Sequence, residues 1–241
     1  VRLLVAIDDT DNLDPDCVGT GRLARMLAAE LVARGLATAT DVTRHQLLVH
    51  PEIPFTSHNS SACVAADGVT APLAEVAETA RAFLLDHPNE GANPGLCVLP
   101  EDAVPDFLLD FAKRAQAEVL TLAEADDLAG RLDGTVWWHG PTGQGRIGAM
   151  AGLALRASGE DGRFIALRGI RDLEGVLPVR EILGRSAVAA VENVAGEPLG
   201  PEVRIDTQGW VRPSLRGGRP VLRVRRDGER WVSEEKWKKW R

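Results

Sequence analysis

The chain has 241 residues, 44% hydrophobic and 26% charged, with a formal net charge of −7; this is globular composition with room for one large domain or two small ones. No apolar run approaches the roughly 20 residues that span a bilayer, and the apolar start at residues 1–7 runs into Asp8 and Asp9 where a signal peptide would need small residues. Three well-separated cysteines, Cys17, Cys63 and Cys97, form no CxxC pair, which argues against a disulfide framework or zinc site and for a reducing, cytoplasmic compartment.

In chain order, residues 2–7 read as a buried strand, continuous, apolar and abruptly ended. Gly19-Thr20-Gly21 leads into an amphipathic helix over about 22–34, closed by Gly35. Strands follow at 41–50 and 61–66, separated by a polar loop with two prolines. A helical period covers 72–85, a short buried strand 96–99, and a helix 105–113. A second unit is expected from about residue 115, with strands at 118–122, 135–138, 163–167, 203–205 and 221–224. Its helices are expected at 124–128, 146–155 and 179–191. Strands and helices alternate throughout, so the class is α/β or α+β, with a βαββαβ, ferredoxin-like arrangement expected in the second unit.

The sharpest feature is Asp8-Asp9-Thr10-Asp11. Three carboxylates crowd the end of a strand read as buried, which costs stability unless a cation or hydrogen-bond donors compensate. Mg²⁺ takes one or two carboxylates together with waters and phosphate oxygens, so two of Asp8, Asp9 and Asp11 would serve as ligands and the remaining one as base or orienter. The competing reading is a turn with helix-capping aspartates, but strand ends are where α/β proteins place their sites. Gly19, Thr20 and Gly21 would let backbone N–H groups approach a phosphate at the helix start. They are not a Walker A motif, and Thr20 as an ordinary N-cap explains them equally well.

Residues 53–62, Ile-Pro-Phe-Thr-Ser-His-Asn-Ser-Ser-Ala, form a second polar string, in which Ser57, His58 and Asn59 are candidate ligand contacts. Such strings also satisfy their own backbone in Asx and ST turns. Asn93-Pro94-Gly95 enters a strand and reads as a binding turn or a plain one. Gly143-Gln144-Gly145-Arg146-Ile147-Gly148-Ala149 places glycines and an arginine at a helix start, which suits an anion. The alternative is close helix–sheet packing with Arg146 exposed.

Taken in order, residues 7–12, 17–20, 53–62, 93–95, 143–151 and 164–168 resemble the motifs of archaeal tRNA-Ile agmatidine synthetases: IDDTDS, Cys-Thr-Thr, IPW-K-T-R-G-N, N-P-G, G-R-G-x-I-G-A-L-A-A and E-L-I-A-Y-R. The resemblance implies a kinase-like ATP-binding domain over residues 1–114 and an elaborated ferredoxin-like domain with a basic tail over 115–241. It implies ATP and Mg²⁺ as cofactors, phosphorylation of a carbonyl oxygen, and displacement of that phosphate by an amine. It assigns the acidic cluster to Asp8, Asp9 and Asp11, a threonine open to autophosphorylation to Thr20, and an arginine position to His58. The family's oligonucleotide-binding domain and zinc ribbon have no counterpart in these residues.

Charge is unevenly spread. Residues 211–241 hold eleven Lys or Arg against four Asp or Glu, a balance of +7, so the remainder carries −14. A negative body argues against nonspecific nucleic-acid binding. Trp231, Trp237 and Trp240 lie among Arg230, Lys236, Lys238, Lys239 and Arg241, a pattern that either docks a terminal segment or stacks on RNA. The expectation is an ATP-dependent enzyme acting on a small-molecule acceptor. The alternatives are a tRNA-modifying enzyme working with a partner and a non-catalytic nucleotide-binding module.

Overall fold

The structure is a computed structural model that describes residues 1–14, 16–53 and 58–233. The chain divides into two compact units, Val1–Ser158 and Gly159–Arg241. The class is mixed α/β.

The first unit begins with β1 (Leu3–Asp8), which is buried along both of its faces until Asp8. Helix α1 (Thr20–Ala33) buries Leu23, Ala24, Leu27, Ala28 and Leu31, spaced three and four apart along one face. It ends where Gly35 takes φ +72°, a conformation glycine adopts without strain. Then come β2 (Ala39–Gln46), β3 (Ser60–Asp67), α2 (Leu73–Asp86) and β4 (Gly95–Pro100). Helices α3 (Asp106–Ala115) and α4 (Leu122–Ala129), strand β5 (Thr135–Trp138) and helix α5 (Gly145–Ser158) complete the unit.

The five strands lie in the order β5-β4-β1-β3-β2, every neighbouring pair antiparallel. Leu4 and Ala6 of β1 enter a core with Cys63, Cys97, Phe111, Met150 and Leu153, beneath α3 and α5. Leu3, Val5 and Ile7, the alternate set, are equally buried, and α1 and α2 also pack against the sheet. Helix α5 is buried along almost its whole length. Its small residues let it lie close: a Cβ on Gly152 would stand 2.2 Å from Ser61 Oγ. At its far end Arg156, 4% exposed, pairs with Asp41 of β2 at 3.0 Å. Cys63 and Cys97 are core residues, as their apolar contexts imply.

The second unit contains β6 (Arg163–Ala166), β7 (Val176–Pro178), α6 (Val179–Arg185), β8 (Ala190–Asn193), β9 (Arg204–Asp206), β10 (Ser214–Arg216), β11 (Arg219–Asp227) and β12 (Arg230–Ser233). Its strands run β6-β10-β11-β12-β9-β7, and β8 pairs in parallel with β11. Gly217 and Gly218, both at positive φ, make the tight β10–β11 hairpin. Ile170, Val179, Ile182, Val191, Ile205, Leu222 and Val224 form its core.

Four sequence expectations differ from this arrangement. The unit boundary falls after Ser158 rather than near residue 115, because β5 pairs with β4 and α5 packs across β1, β3 and β4. The βαββαβ element order expected beyond residue 115 is present as β5-α5-β6-β7-α6-β8 but is divided by that boundary, so the second compact unit holds a single α-helix among its described residues, and the same order also occurs undivided over residues 3–100. Residues 118–121 are not a strand: Thr121 caps α4 in a reciprocal capping box with Glu124. The helix expected over 179–191 stops at Arg185, where Ser186 Oγ donates to Ile182 O and accepts from Val188 N, and the chain continues as strand β8. Trp231 belongs to β12 and carries Arg226 over its ring at 4.3 Å. Trp237, Trp240, Lys236, Lys238, Lys239 and Arg241 lie outside the described residues. No helix among the described residues is long and apolar enough to cross a membrane.

Candidate functional site

A cavity of about 310 Å³ opens in the first unit where β1 and β2 end and β3 begins. Asp8, Asp9, Asp11, Gly19, Thr20, Gly21, His58 and Asn59 all line it, so eight of the residues singled out from the sequence converge on one space. Ser57 lies outside the described residues.

The acidic loop is tightly constructed. Asp9 sits at φ +51°, a left-handed conformation that strains a residue bearing a Cβ. Its carbonyl accepts from Asn93 N at 3.1 Å. Thr10 is buried, and its hydroxyl donates to Thr20 Oγ1 at 3.0 Å, tying the loop to the first turn of α1. Asn89 Nδ2 donates to Thr10 O at 2.6 Å and to Val18 O at 3.2 Å, and Asn12 Nδ2 donates to Glu90 O at 2.9 Å. The segment 89–93 is thus a brace that fixes where the carboxylates stand. The N-cap of α1 is Gly19 rather than Thr20, with no side-chain cap and no acidic residue in the first turn. The positive end of that helix is therefore uncompensated by its own residues.

Electrostatics follow from this crowding. Burial, reinforced by Asp9 and Asp11, pushes the Asp8 carboxyl up to about 7. Burial and Asp11 push Asp9 up to about 6. Each still exposes part of its surface, and their titrations are coupled. Arg22 of α1 and Arg44 of β2 line the cavity, both missed by sequence reading, and Arg44 is the one that acts on Asp8. Burial lowers its pKa, opposed by Asp11 and Asp8, and its Nε donates to Ser60 Oγ at 2.7 Å. The available signal was a charged residue between Thr43 and His45, both fully buried, in the middle of a strand. Gln144, Ile147 and Gly148 bring the start of α5 to the cavity, and Leu47, Ile53, Val119, Leu120 and Leu122 supply an apolar wall that was likewise not foreseen.

Five expected contacts do not line the cavity: Asn93, Gly95, Gly143, Gly145 and Arg146. Their roles are structural. A Cβ on Gly95 would stand 2.0 Å from Gly145 C, and one on Gly145 would stand 2.4 Å from Asn93 O. The Asn-Pro-Gly turn and the glycine-rich helix start are therefore two halves of one backbone contact. Asn93 Oδ1 also accepts from Thr142 N at 3.0 Å. Arg146 is neither exposed nor aimed at the acidic loop. It is 6% exposed, forks onto Asp126 at 2.7 and 3.0 Å, donates to Gly143 O at 2.7 Å and stacks over Trp138 at 4.1 Å. Gly148 is the glycine of this motif that lines the cavity, and a Cβ there would fall 1.6 Å from Asp8 Oδ2.

Among the described residues, no group of three or more His, Cys, Asp or Glu side chains is arranged to enclose a metal ion. The carboxylates do not form a closed protein cage. An open site completed by water and phosphate oxygens, as Mg²⁺ prefers, remains compatible with two of them. Their raised pKa values mark a place where added positive charge would be stabilising.

No family model matches the chain, and no curated protein matches it by sequence. Solved structures do. Apo TiaS, a tRNA-Ile agmatidine synthetase, matches at 27% identity with a TM-score of 0.54, covering 64% of this chain and 35% of that one. A tRNA fluorescent labelling enzyme matches at 27% identity and TM-score 0.55, over 64% of this chain and 36% of its own. The complex of TiaS with its tRNA and ATP matches at 26% identity and TM-score 0.53 over the same 64% and 36%. The chain spans about a third of the length of these proteins. Over the part that matches, the chain is similar in sequence and fold to TiaS.

Proposed function

We propose that the cavity of the first unit binds ATP with Mg²⁺ and that the protein is an ATP-dependent enzyme transferring a phosphoryl group to an oxygen of an acceptor. The observation that carries this reading is the meeting of Asp8, Asp9, Asp11, Arg44 and the uncapped start of α1 in a single cavity, which Arg22, Glu52 and Glu118 also line. The TiaS-like structure supports it, since TiaS has been solved with ATP. Two of Asp8, Asp9 and Asp11 would hold Mg²⁺, which would supply positive charge to offset that of the phosphates. The remaining carboxylate is available to orient the acceptor or take its proton. Thr20 and Gly21 offer first-turn backbone donors to phosphate, and His58 and Asn59 line the space an acceptor would enter.

The acceptor we propose is a small molecule. A cavity of about 310 Å³ with an apolar wall is of ligand size, and the −14 balance of residues 1–210 disfavours a polyanion. A tRNA acceptor is the second reading, favoured by the tRNA present in the matching TiaS complex; an amine would then displace the phosphate. The test is a calorimetric titration of Mg·ATP into the wild type and Asp11→Asn. The variant is expected to remain folded and to lose at least about tenfold in affinity, the value of one charge-assisted contact. Equal affinity in both proteins refutes the assignment. ATP turnover stimulated by tRNA, and by no small acceptor, selects the second reading.

A further inference from the structure

Arg44 occupies a costly position. It stands on β2 between Thr43 and His45, both wholly buried, and its own side chain turns to the cavity. A guanidinium carries five N–H donors in a rigid fork. One is spent on Ser60 Oγ, 2.7 Å away on the neighbouring strand. That bond holds the stem end of the fork of a side chain that lines the cavity. The charges of Asp11 and Asp8 act on it. Asp11 Oδ2 in turn lies beside the start of α1, 3.6 Å from where a Cβ on Gly19 would be. The arginine, the carboxylates and the first turn of α1, with Thr20 and Gly21, therefore border one space.

We propose that Arg44 and the first turn of α1 form an oxyanion subsite for the polyphosphate of a nucleoside triphosphate, with Ser60 as the residue that positions the fork. The inference rests on the ATP reading above and deepens it. In the metal-free cavity Arg44 offsets part of the carboxylate charge. When a divalent cation shares those carboxylates, the fork is released to a phosphate, for which its planar paired donors are shaped. A lysine would keep the charge and lose both the fork and the bond to Ser60.

The experiment titrates Mg·tripolyphosphate and, separately, Mg·ATP into the full chain and into Arg44→Met, Arg44→Lys, Ser60→Ala and Ser60→Thr, each first shown by melting to be folded. Arg44→Met is expected to weaken both ligands by about 10–100-fold, the range of hydrogen bonds to a charged group. Arg44→Lys recovers part of that loss. Ser60→Ala loses less than Arg44→Met, and Ser60→Thr restores the affinity because it keeps the hydroxyl. Wild-type Mg·ATP affinity retained in Arg44→Met overturns the subsite and leaves the ATP reading standing. Arg44-dependent binding of tripolyphosphate, with no gain from adenosine, supports the subsite and removes the ATP reading. A wild type that binds neither ligand removes both. Should Arg44→Met fail to fold, wild-type affinities in Arg44→Lys and Ser60→Ala together overturn the subsite.

Discussion

Replacing Asp8 by Asn tests the electrostatics of the acidic loop without reference to any ligand. The folded-state pKa of Asp8 is about 7, against an ordinary value of 3.8. A carboxyl whose pKa is raised by folding stabilises the protein below its unfolded pKa and loses that contribution as pH rises through the folded one. The window here runs from about pH 4 to about pH 7, with a ceiling of about 4 kcal/mol at 1.36 kcal/mol per pH unit. Because Asp8 keeps part of its surface open to the cavity, water screening brings the expected value to about 2–3 kcal/mol. Asn has nearly the same volume and no charge. In chelator at pH 4 the two proteins should melt within a degree or two of each other. At pH 8 the variant should melt higher by about 5–10 °C, at about 2–4 °C per kcal/mol for a chain of this size. Glu124, whose pKa is lowered to about 2 by bonds from Thr121 and Arg114, titrates below this window and does not obscure it. Thermal melts at half-unit pH steps measure the difference directly. A difference between wild type and variant that stays constant from pH 4 to pH 8, or a variant that melts lower at pH 8, refutes the argument that Asp8 is an anion held against its surroundings.

Gly148→Ala places a methyl where Asp8 Oδ2 now stands, 1.6 Å from the ideal Cβ; the carboxylate must rotate away, at a cost of about 1–3 kcal/mol, and Mg·ATP affinity should fall with it. Thermal melts alongside calorimetry check this, and wild-type values in both would show that the α5–β1 contact yields freely. Arg146→Ala should behave in the opposite manner, lowering stability by about 2 kcal/mol through the lost Gly143, Asp126 and Trp138 contacts while the folded fraction binds nucleotide normally. A variant that melts like the wild type but has lost nucleotide affinity would return Arg146 to the site.

Much of this arrangement was legible in the chain itself. The apolar run into Asp8, Asp9 and Asp11 could only be a buried strand delivering charge to its end. The three-and-four spacing of Leu23, Leu27 and Leu31 could only be an amphipathic helix. Both are local signals, set by which side chains can share a face, and they carried the first half of the candidate site. The order of motifs also pointed to the agmatidine synthetase resemblance that the solved structures bear out. What the chain could not reveal was who packs against whom. Residues 118–122 have strand-like composition, but no strand of the sheet pairs with them, and the chain turns into α4 instead. Glycines at 95, 143, 145 and 148 look alike in one dimension; only the crossing of α5 over β1 and β4 makes Gly95 and Gly145 a backbone contact, sets Gly143 against the Arg146 and Trp138 side chains and makes Gly148 the floor beneath Asp8. Arg146 and Arg44 exchanged roles for the same reason. An arginine beside glycines at a helix start suggests an anion site, but Asp126, twenty residues away, reaches it first. An arginine inside a strand suggests nothing until β3 brings Ser60 to its Nε and β1 brings Asp8 into its field. Periodicity is written into neighbouring residues, whereas the partner of a charge is decided by strand order and register, which long-range packing alone determines.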